Sequence, residues 1–487
     1  MDFVALPTTI GVIVHPLLVI GIAVRVIMNR PATGVALAWL LLVALLPIGG
    51  PVIYFLIGER RIGRSRTQRL EALRGEFKRI SLEAIRERLT DVDWSRHPPG
   101  ARGMDRLGRK TAGIATVRGS TLEMFSDAQK ILRAIARDID QASTGVLMEF
   151  YIWNEGGAAD EVLEAVIRAA GRGVACRLLV DALGARPWWR SKQPARLRAA
   201  GVALQAALPV GILRTFVGRT DLRLHRKIVV VDGDVAWTGS MNLVDPRFFK
   251  QDSGVGQWVD AMVRVQGAAV APLAATVIGD WALETGESIG DLIESAGLRL
   301  VEPLGSSDIQ VVASGPGEAG DGLLQMILAL IHSARDELVL TTPYLVPDES
   351  LLRALRGAAC RGVKVSLIVP EKIDSLLTRY ASRSYYEDLV LAGVQVCLYR
   401  GGLLHTKSIM VDGEMSMFGT VNLDMRSLWL NYEVALFVYD KPFAVELRRL
   451  QWSYREDSNC LDAAAWNQRP FRIRLVENAL RLISPLL

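Results

Sequence analysis

The stretches LHRKIVVVDG (224–233) and LHTKSIMVDG (404–413) carry one pattern, H-x-K-x-x-x-x-D, at His225 and His405. Only 5 histidines occur in the chain, and two of them occupy these matching positions. On a strand, residues two apart project to the same face, so His225 goes with Lys227 and His405 with Lys407. Downstream, TGSMN (238–242) and GTVN (419–422) place Ser240 with Asn242 and Thr420 with Asn422 on the same alternation. A glycine precedes each pair, which suits a close approach of backbone to a ligand. Asp232 and Asp412 complete the two motifs but fall on the opposite parity from the histidines. They are read as structural partners, fixing a turn or pairing with a basic residue.

The repetition extends beyond the motifs. GVLMEFYIW (145–153) reads as a buried strand, EVLEAVIRAAGRG as a helix and VACRLLVDA as the next strand. The second copy runs ELVLTTPYLVP (337–347), the helix SLLRALRGAACRG and the strand VKVSLIVP. Strands alternating with helices of this length predict βαβ units and a largely parallel or mixed sheet. Two such series predict a duplicated α/β architecture in which both motifs meet at one interface.

Composition adds a membrane segment. The chain has 487 residues, about half of them hydrophobic, and a formal charge of only +5, with a mean hydropathy of +0.23. No charged side chain occurs from Phe3 to Val24 or from Ala32 to Gly58. Each run reaches the roughly 20 apolar residues that a bilayer core demands. Met1-Asp2 offers no basic region ahead of the first run, so a transmembrane hairpin is expected rather than a signal peptide. His15, inside the first span beside Pro16, is a weak functional hint. Arg25 and Arg30 sit in the connection, and Arg60, Arg61, Arg64, Arg66 and Arg69 follow the second run. The larger cluster places the C-terminal part in the cytoplasm and favours contact with anionic lipid. Glu71, Glu76, Glu83 and Glu87 interleave further on, as on a solvated helix face. Cys176, Cys360, Cys397 and Cys460 show no metal-type or C-x-x-C spacing, so no disulfide framework and a reducing compartment are expected. The closing RPFRIRLVENALRLISPLL mixes arginines with a broad apolar face, fitting either a membrane interface or packing on the second half.

Brought together, the repeated residues supply two imidazoles, two ammonium groups, two amides and two hydroxyls. Cations and amide donors suit the oxygens of a phosphodiester, with one imidazole to attack and the other to handle protons. The doubled motif with its following G-S/T-x-N resembles the phospholipase D superfamily. The longer stretches DLRLHRKIVVVDG, TGSMNLVDPRFFKQDSGVGQWVDAM, TPYLVPDE and LLHTKSIMVDGEMSMFGTVNLDMRSLWLNYEV are similar to bacterial cardiolipin synthases of the A type. So are the N-terminal hairpin and the closing SPLL.

That resemblance implies two phospholipase D-like domains, mixed β-sheets flanked by helices, related by a pseudo-twofold axis. The expected divisions are a hairpin over 1–58, a basic linker over 59–112, and domains over 113–315 and 316–487. It implies phosphatidyl transfer between two phosphatidylglycerol molecules, giving cardiolipin and glycerol through a phosphatidyl-histidine. By resemblance His225 is the nucleophile and His405 the general acid, then base; the near-symmetric residues themselves do not separate the roles. Each imidazole needs a group to fix its tautomer. Glu433, in LNYEV after His405, lies where the superfamily places such a carboxylate, and Asp260 in GQWVDAM is its counterpart in the first half. No metal is expected, because no cluster has ligand spacing and Lys227 and Lys407 supply charge stabilisation. No P-loop, dinucleotide fingerprint or acidic motif for CDP-activated lipid occurs, so no cofactor is expected. The expected partners are phosphatidylglycerol and cardiolipin in an anionic bacterial inner membrane, without nucleic acid. A phospholipase D-type hydrolase at a membrane is the alternative, followed by a membrane scaffold or tethered nuclease.

Overall fold

The structure, a computed structural model, describes residues 5–31, 33–58, 68–72, 87–209, 221–316 and 321–482, with Arg66, Gly75 and Glu83. Two compact units divide the chain: Met1–Arg64 with Val210–Asp221, and Ser65–Pro209 with Leu222–Leu487.

In the first unit, α1 (Ala5–Asn29) has Pro16 inside it, and α2 (Thr33–Leu45) follows. Val26 of α1 and Val43 of α2 are both buried in a small cluster with Ile22 and Tyr54. Leu17, Ile20, Ile27, Leu37, Leu41 and Leu45 remain exposed. His15 meets the Ala44 carbonyl at 3.2 Å, which gives that residue a local structural role. Among the described residues no helix is long and apolar enough to cross a membrane. The second expected span is interrupted: α2 is 13 residues long and stops before Pro47, whose missing N–H and ring block helix continuation. Arg60, Arg61, Arg64, Glu76 and the closing SPLL lie outside the described residues.

The second unit is built on strands that follow the same course twice. The first series is β1 (Val117–Phe125), β2 (Gly145–Phe150), β3 (Ala175–Asp181), β4 (Ala203–Ala207), β5 (Ile228–Val231), β6 (Val235–Gly239), the short β7 (Trp258–Val259) and β8 (Met262–Gly267). The second is β9 (Ser307–Ser314), β10 (Glu337–Thr341), β11 (Leu345–Val346), β12 (Lys364–Pro370), β13 (Gln395–Tyr399), β14 (Leu403–Leu404), β15 (Ser408–Val411), β16 (Met415–Gly419), β17 (Leu423–Asp424) and β18 (Glu433–Tyr439), with β19 (Ser458–Cys460) added at the edge. One 15-stranded sheet results, in the order β19-β13-β12-β10-β15-β16-β18-β9-β1-β8-β6-β5-β2-β3-β4. β2, β3 and β4 run parallel, as do β10, β12 and β13. The remaining strands of the large sheet pair antiparallel, while the short β7 and β14, and β11 and β17, form two separate parallel pairs. β2 is buried along its whole length, Glu149 included, as its mostly apolar sequence suits a strand covered on both faces.

Helices supply those covers. On one face of the first half lie α3 (Ala128–Asp140) and α4 (Ala158–Gly171), over Val146, Met148, Leu178 and Val229. α5 (Val270–Thr285) and the later α9 (Lys441–Glu456) contribute to one core that crosses the seam, joining Val263 and Val230 to Val311, Leu436 and Val438. α6 (Gly322–Ser333) and α7 (Glu349–Cys360) cover the second half. Asp127 and Asp348 cap α3 and α7 through the Lys130 and Leu351 N–H groups, which otherwise lack partners at a helix start. α8 (Leu376–Leu391) carries α10 (Phe471–Leu482) on its surface.

The seam was not foreseen. β9 pairs with β18 over Asp308–Ser314 and with β1 at Val117 and Ser120, so the two halves share one continuous sheet. A second departure concerns the thiols. Cys397 on β13 faces Cys460 on β19 and the two form a disulfide, leaving Cys176 and Cys360 free. The partners are 63 residues apart in sequence. Only the return of the chain along α9 to the sheet edge makes them neighbours, so spacing gave no sign of it.

Candidate active site

His225–Lys227 and His405–Lys407 lie outside the regular strands, immediately ahead of β5 and β15. β5 and β15 begin at Ile228 and Ser408, one residue after the lysines. What holds the histidines is the opposite half of the molecule. The His225 N–H donates to the Tyr432 carbonyl at 2.9 Å, and the His405 N–H to the Val259 carbonyl at 2.8 Å. β14 runs parallel to β7, pairing Leu404 with Val259, and an isolated bridge joins Leu224 to Tyr432 in the same way. The backbone thus threads each histidine against the residue that immediately precedes the other half's carboxylate, Tyr432 before Glu433 and Val259 before Asp260.

The side chains repeat that exchange. His225 Nδ1 lies 2.9 Å from Glu433 Oε2, and His405 Nδ1 lies 2.7 Å from Asp260 Oδ1. Glu433 and Asp260 are the expected orienting carboxylates, but each serves the histidine of the other half. Both acceptors are carboxylates, so the proton sits on Nδ1 and the Nε2 lone pair is left for chemistry. Burial drives both imidazoles down to about 4, against the upward pull of Glu433 on His225 and of Asp260 on His405. Burial also tends to raise the two carboxyls. His405, its hydrogen bond and Lys407 outweigh this for Asp260, and His225, its hydrogen bond and Lys227 for Glu433, leaving both below the ordinary range. The resting pairs are neutral imidazole and ionised carboxylate.

Lys227 and Lys407 are fully buried and donate to the carbonyls of His225 and His405, each at 2.5 Å. Desolvation lowers Lys227 to about 8 and moves Lys407 well down, more than the surrounding carboxylates restore. Each imidazole also feels the other motif's ammonium, which further disfavours its protonation. An anionic ligand here would meet four groups whose positive forms it stabilises.

Other expected residues take different posts. Ser240 Oγ donates to Asp260 at 2.6 Å and Thr420 Oγ1 to Glu433 at 2.6 Å, so both hydroxyls brace carboxylates. Asn242 accepts from the Ile152 N–H through Oδ1, while its buried Nδ2 has no acceptor among the described residues. Asn422 is also buried, and its Oδ1 has no donor among the described residues. Gly239 and Gly419 do allow a close approach, but of the neighbouring strand. A Cβ would stand 2.5 Å from the Ala261 carbonyl oxygen at Gly239 and 2.3 Å from that of Val434 at Gly419.

Asp232 and Asp412 stand at the far ends of β5 and β15, in turns with φ of 54° and 53°. Asp232 accepts from the backbone N–H groups of Ser143, Thr144 and Gly145 and from two hydroxyls. Asp412 accepts from those of Arg335, Asp336 and Glu337. They tie the hairpin turn to the start of β2 or β10. The reading as turn-fixing residues therefore rests on this geometry and not on strand parity, since neither lies on a strand.

Several neighbours escaped the sequence reading. The Tyr151 ring packs on His225 at 5.1 Å and the Trp258 ring on His405 at 4.4 Å. Lys250 reaches from the first half to Asp374 of the second at 3.1 Å, and Tyr344 donates to the same carboxylate at 2.7 Å. Trp258 stands two residues before Asp260, so its place in GQWVDAM was the one available signal. Tyr151 had none.

Comparison with known proteins adds the family. The family described as "Cardiolipin synthase, PLD-like domain" matches residues 135–267 and 327–453, and "Phospholipase_D-nuclease N-terminal" matches 17–59. The chain is 44% identical to the cardiolipin synthase A of Erwinia tasmaniensis over 477 residues, covering 97% of this chain and 96% of that one. It is 43% identical to those of Yersinia pseudotuberculosis and Serratia proteamaculans, with the same coverage. The crystal structure of a phosphatidylserine synthase from Haemophilus influenzae superposes with a TM-score of 0.61 at 16% identity, covering 79% of this chain and 100% of that one. That likeness shows a shared fold.

Proposed function

The chain belongs to the cardiolipin synthase family of phospholipase D-like proteins, and we propose that it joins two phosphatidylglycerol molecules through one composite site. Cardiolipin synthesis accords with the likeness to cardiolipin synthases over 97% of the chain. The observation that carries the mechanism is the crossed pair, His225 with Glu433 and His405 with Asp260, in which neither half has a complete site.

In the first step the His225 Nε2 lone pair forms a bond to phosphorus, and the bond from phosphorus to the glycerol oxygen breaks. His405, protonated at Nε2 once the anionic diester is bound, gives that proton to the departing glycerol. In the second step a headgroup hydroxyl of another phosphatidylglycerol passes its proton to His405 and attacks phosphorus, and the bond to His225 breaks. Lys227, Lys407 and Nδ2 of Asn242, which has no acceptor among the described residues, face the phosphoryl oxygens as charge builds. Asp232 and Asp412 hold the hairpins that aim the two motifs. One phosphodiester replaces another, so the reaction is close to thermoneutral and needs no activated donor.

We place the reaction at an anionic bacterial inner membrane, with residues 1–58 as a two-pass anchor and the catalytic unit in the cytoplasm. The uncharged runs, the match of 17–59 to an N-terminal family segment and the excess of arginine after residue 58 support this reading. Mass spectrometry of lipids after incubating the purified protein with phosphatidylglycerol tests the reaction. Cardiolipin with glycerol is expected; phosphatidic acid with glycerol would instead make the protein a hydrolase using water as acceptor.

A further inference from the structure

Helix α10 is docked with its charged side inward. Glu477, its only acidic residue, is 1% exposed and accepts from Arg383 at 2.7 Å and from Arg469 at 2.5 Å. Arg474 and Arg481 turn the same way, to Glu387 and Asp388 of α8 at 2.7 and 2.6 Å. Leu480 packs beneath them against the core of the second half. At 3.6 residues per turn this leaves Phe471, Leu475, Ala479 and Leu482 along the opposite side. Phe471 is 75%, Leu475 56% and Leu482 83% exposed, with Val476 at the flank. A surface helix of a soluble protein has the reverse arrangement.

We propose that this outward stripe lies in the headgroup layer of an anionic bilayer and is a second membrane contact of the protein. The charge pattern selects the occupant. Arg472 is exposed within the stripe, and no acidic side chain of the helix shares that side. An apolar strip flanked by a cation suits anionic lipid, which attracts an arginine held near its surface. A second copy of α10 would bring Arg472 toward another Arg472 with its one carboxylate already buried. The salt bridges to α8 fix the helix axis on the catalytic unit, so the stripe is presented as a rigid surface. The inference shares with the proposed function only the placement at a bilayer and holds for transferase and hydrolase alike.

The test uses the full chain with Leu475→Cys, labelled with an environment-sensitive fluorophore in a Cys360→Ser background. Reconstitution into phosphatidylglycerol vesicles is expected to shift the emission to the blue and expose the label to quenching by lipid-borne spin labels. Phosphatidylcholine vesicles, or Arg472→Glu in phosphatidylglycerol, should reduce both effects several-fold. Water-like emission without quenching in phosphatidylglycerol vesicles overturns the proposal. Label-to-label cross-linking that persists whatever the lipid also overturns it, by showing that a second copy covers the stripe. As a second arm, Phe471→Ser with Leu475→Ser and Leu482→Ser should slow turnover on vesicles by about tenfold and leave turnover in detergent micelles unchanged. Equal loss in both settings would mean that the residues serve the fold. A wild-type protein that makes no cardiolipin would sink the reaction reading, while the quenching result would still decide the surface.

Discussion

The two halves place the same catalytic groups on the same backbone course but support them with different chemistry. Behind the first motif the interior is ionic. Arg226, between His225 and Lys227, is buried and bonds to Asp280 of α5 and to the carbonyls of Glu433 and Ser314. Glu149 on β2, opposite Ile228, joins this cluster; burial first, then the charge of Asp280, moves its carboxyl well up. Behind the second motif the same ground is neutral. Thr406 takes the place of Arg226 and meets the Tyr454 hydroxyl at 3.2 Å. Thr341, opposite Ser408, shares a 2.6 Å hydroxyl contact with it, and Gln451 of α9 completes the group. The imidazoles, lysines, crossed carboxylates, bracing hydroxyls and turn aspartates recur in both halves. The filling beneath them does not. Geometry at the reacting atoms is thus constrained by chemistry, while the support has only to fill space and satisfy its own polar groups.

The sharpest way to break the comparison is to remove one imidazole at a time. His225→Ala and His405→Ala should each lower cardiolipin formation by about 10³-fold or more, with membrane association unchanged. Substantial turnover in either single variant would mean that one half suffices.

The crossed carboxylates give the next largest effect. Glu433→Gln and Asp260→Asn should each cost roughly 10- to 100-fold in turnover. In double-mutant cycles His225 should couple to Glu433 and His405 to Asp260. Coupling within a half would contradict the exchange. Glu433 also accepts from Asn431 at 3.2 Å, whereas the second oxygen of Asp260 has no donor among the described residues. The loss at Glu433 should therefore be the larger.

On stability, the ionic half should be the fragile one. Arg226→Met strands Asp280 in the interior and should cost about 3–5 kcal/mol. Thr406→Val removes a neutral hydroxyl that meets the Tyr454 hydroxyl and the Val259 carbonyl and should cost about 1 kcal/mol. Denaturant unfolding compares them, and equal losses would remove the contrast between the interiors.

Lowering the pH should strain both halves alike. The folded imidazoles titrate near 4, below the ordinary 6.5. Between those values the unfolded chain takes up protons that the native state refuses, so stability is full above the unfolded value and falls with pH through this window. A variant with His225→Gln and His405→Gln should show a flatter melting temperature between pH 6.5 and 4. An unchanged slope would assign the acid sensitivity to other groups.

The smallest effects belong to the turns. Asp232→Asn and Asp412→Asn should reduce stability by about 1–2 kcal/mol while folded protein retains its turnover. Asp232 should cost more, having two hydroxyl donors that Asp412 lacks. A normally melting Asp412→Asn variant without activity would return that residue to the chemistry.

Much of this protein was legible in the chain itself. The stretch GVLMEF, apolar but for Glu149, the periodic EVLEAVIRAAG and their second copies specified strands and helices, because burial on both faces of a parallel strand leaves a mostly apolar signature. The motif pair named the reacting groups, because few residue types attack phosphorus. Which carboxylate meets which histidine was not legible. Each bond joins residues more than a hundred positions apart, His225 with Glu433 and His405 with Asp260, and depends on two backbone crossings between halves. The β1–β9 seam, the Cys397–Cys460 bond and the inward turn of the charged side of α10 are of the same kind. Local sequence sets propensity, polarity and periodicity, and so determines elements and the inventory of groups. Long-range partners are fixed only when the whole sheet closes, because burying a charge or a half-bonded polar group is favourable only beside the one partner that satisfies it.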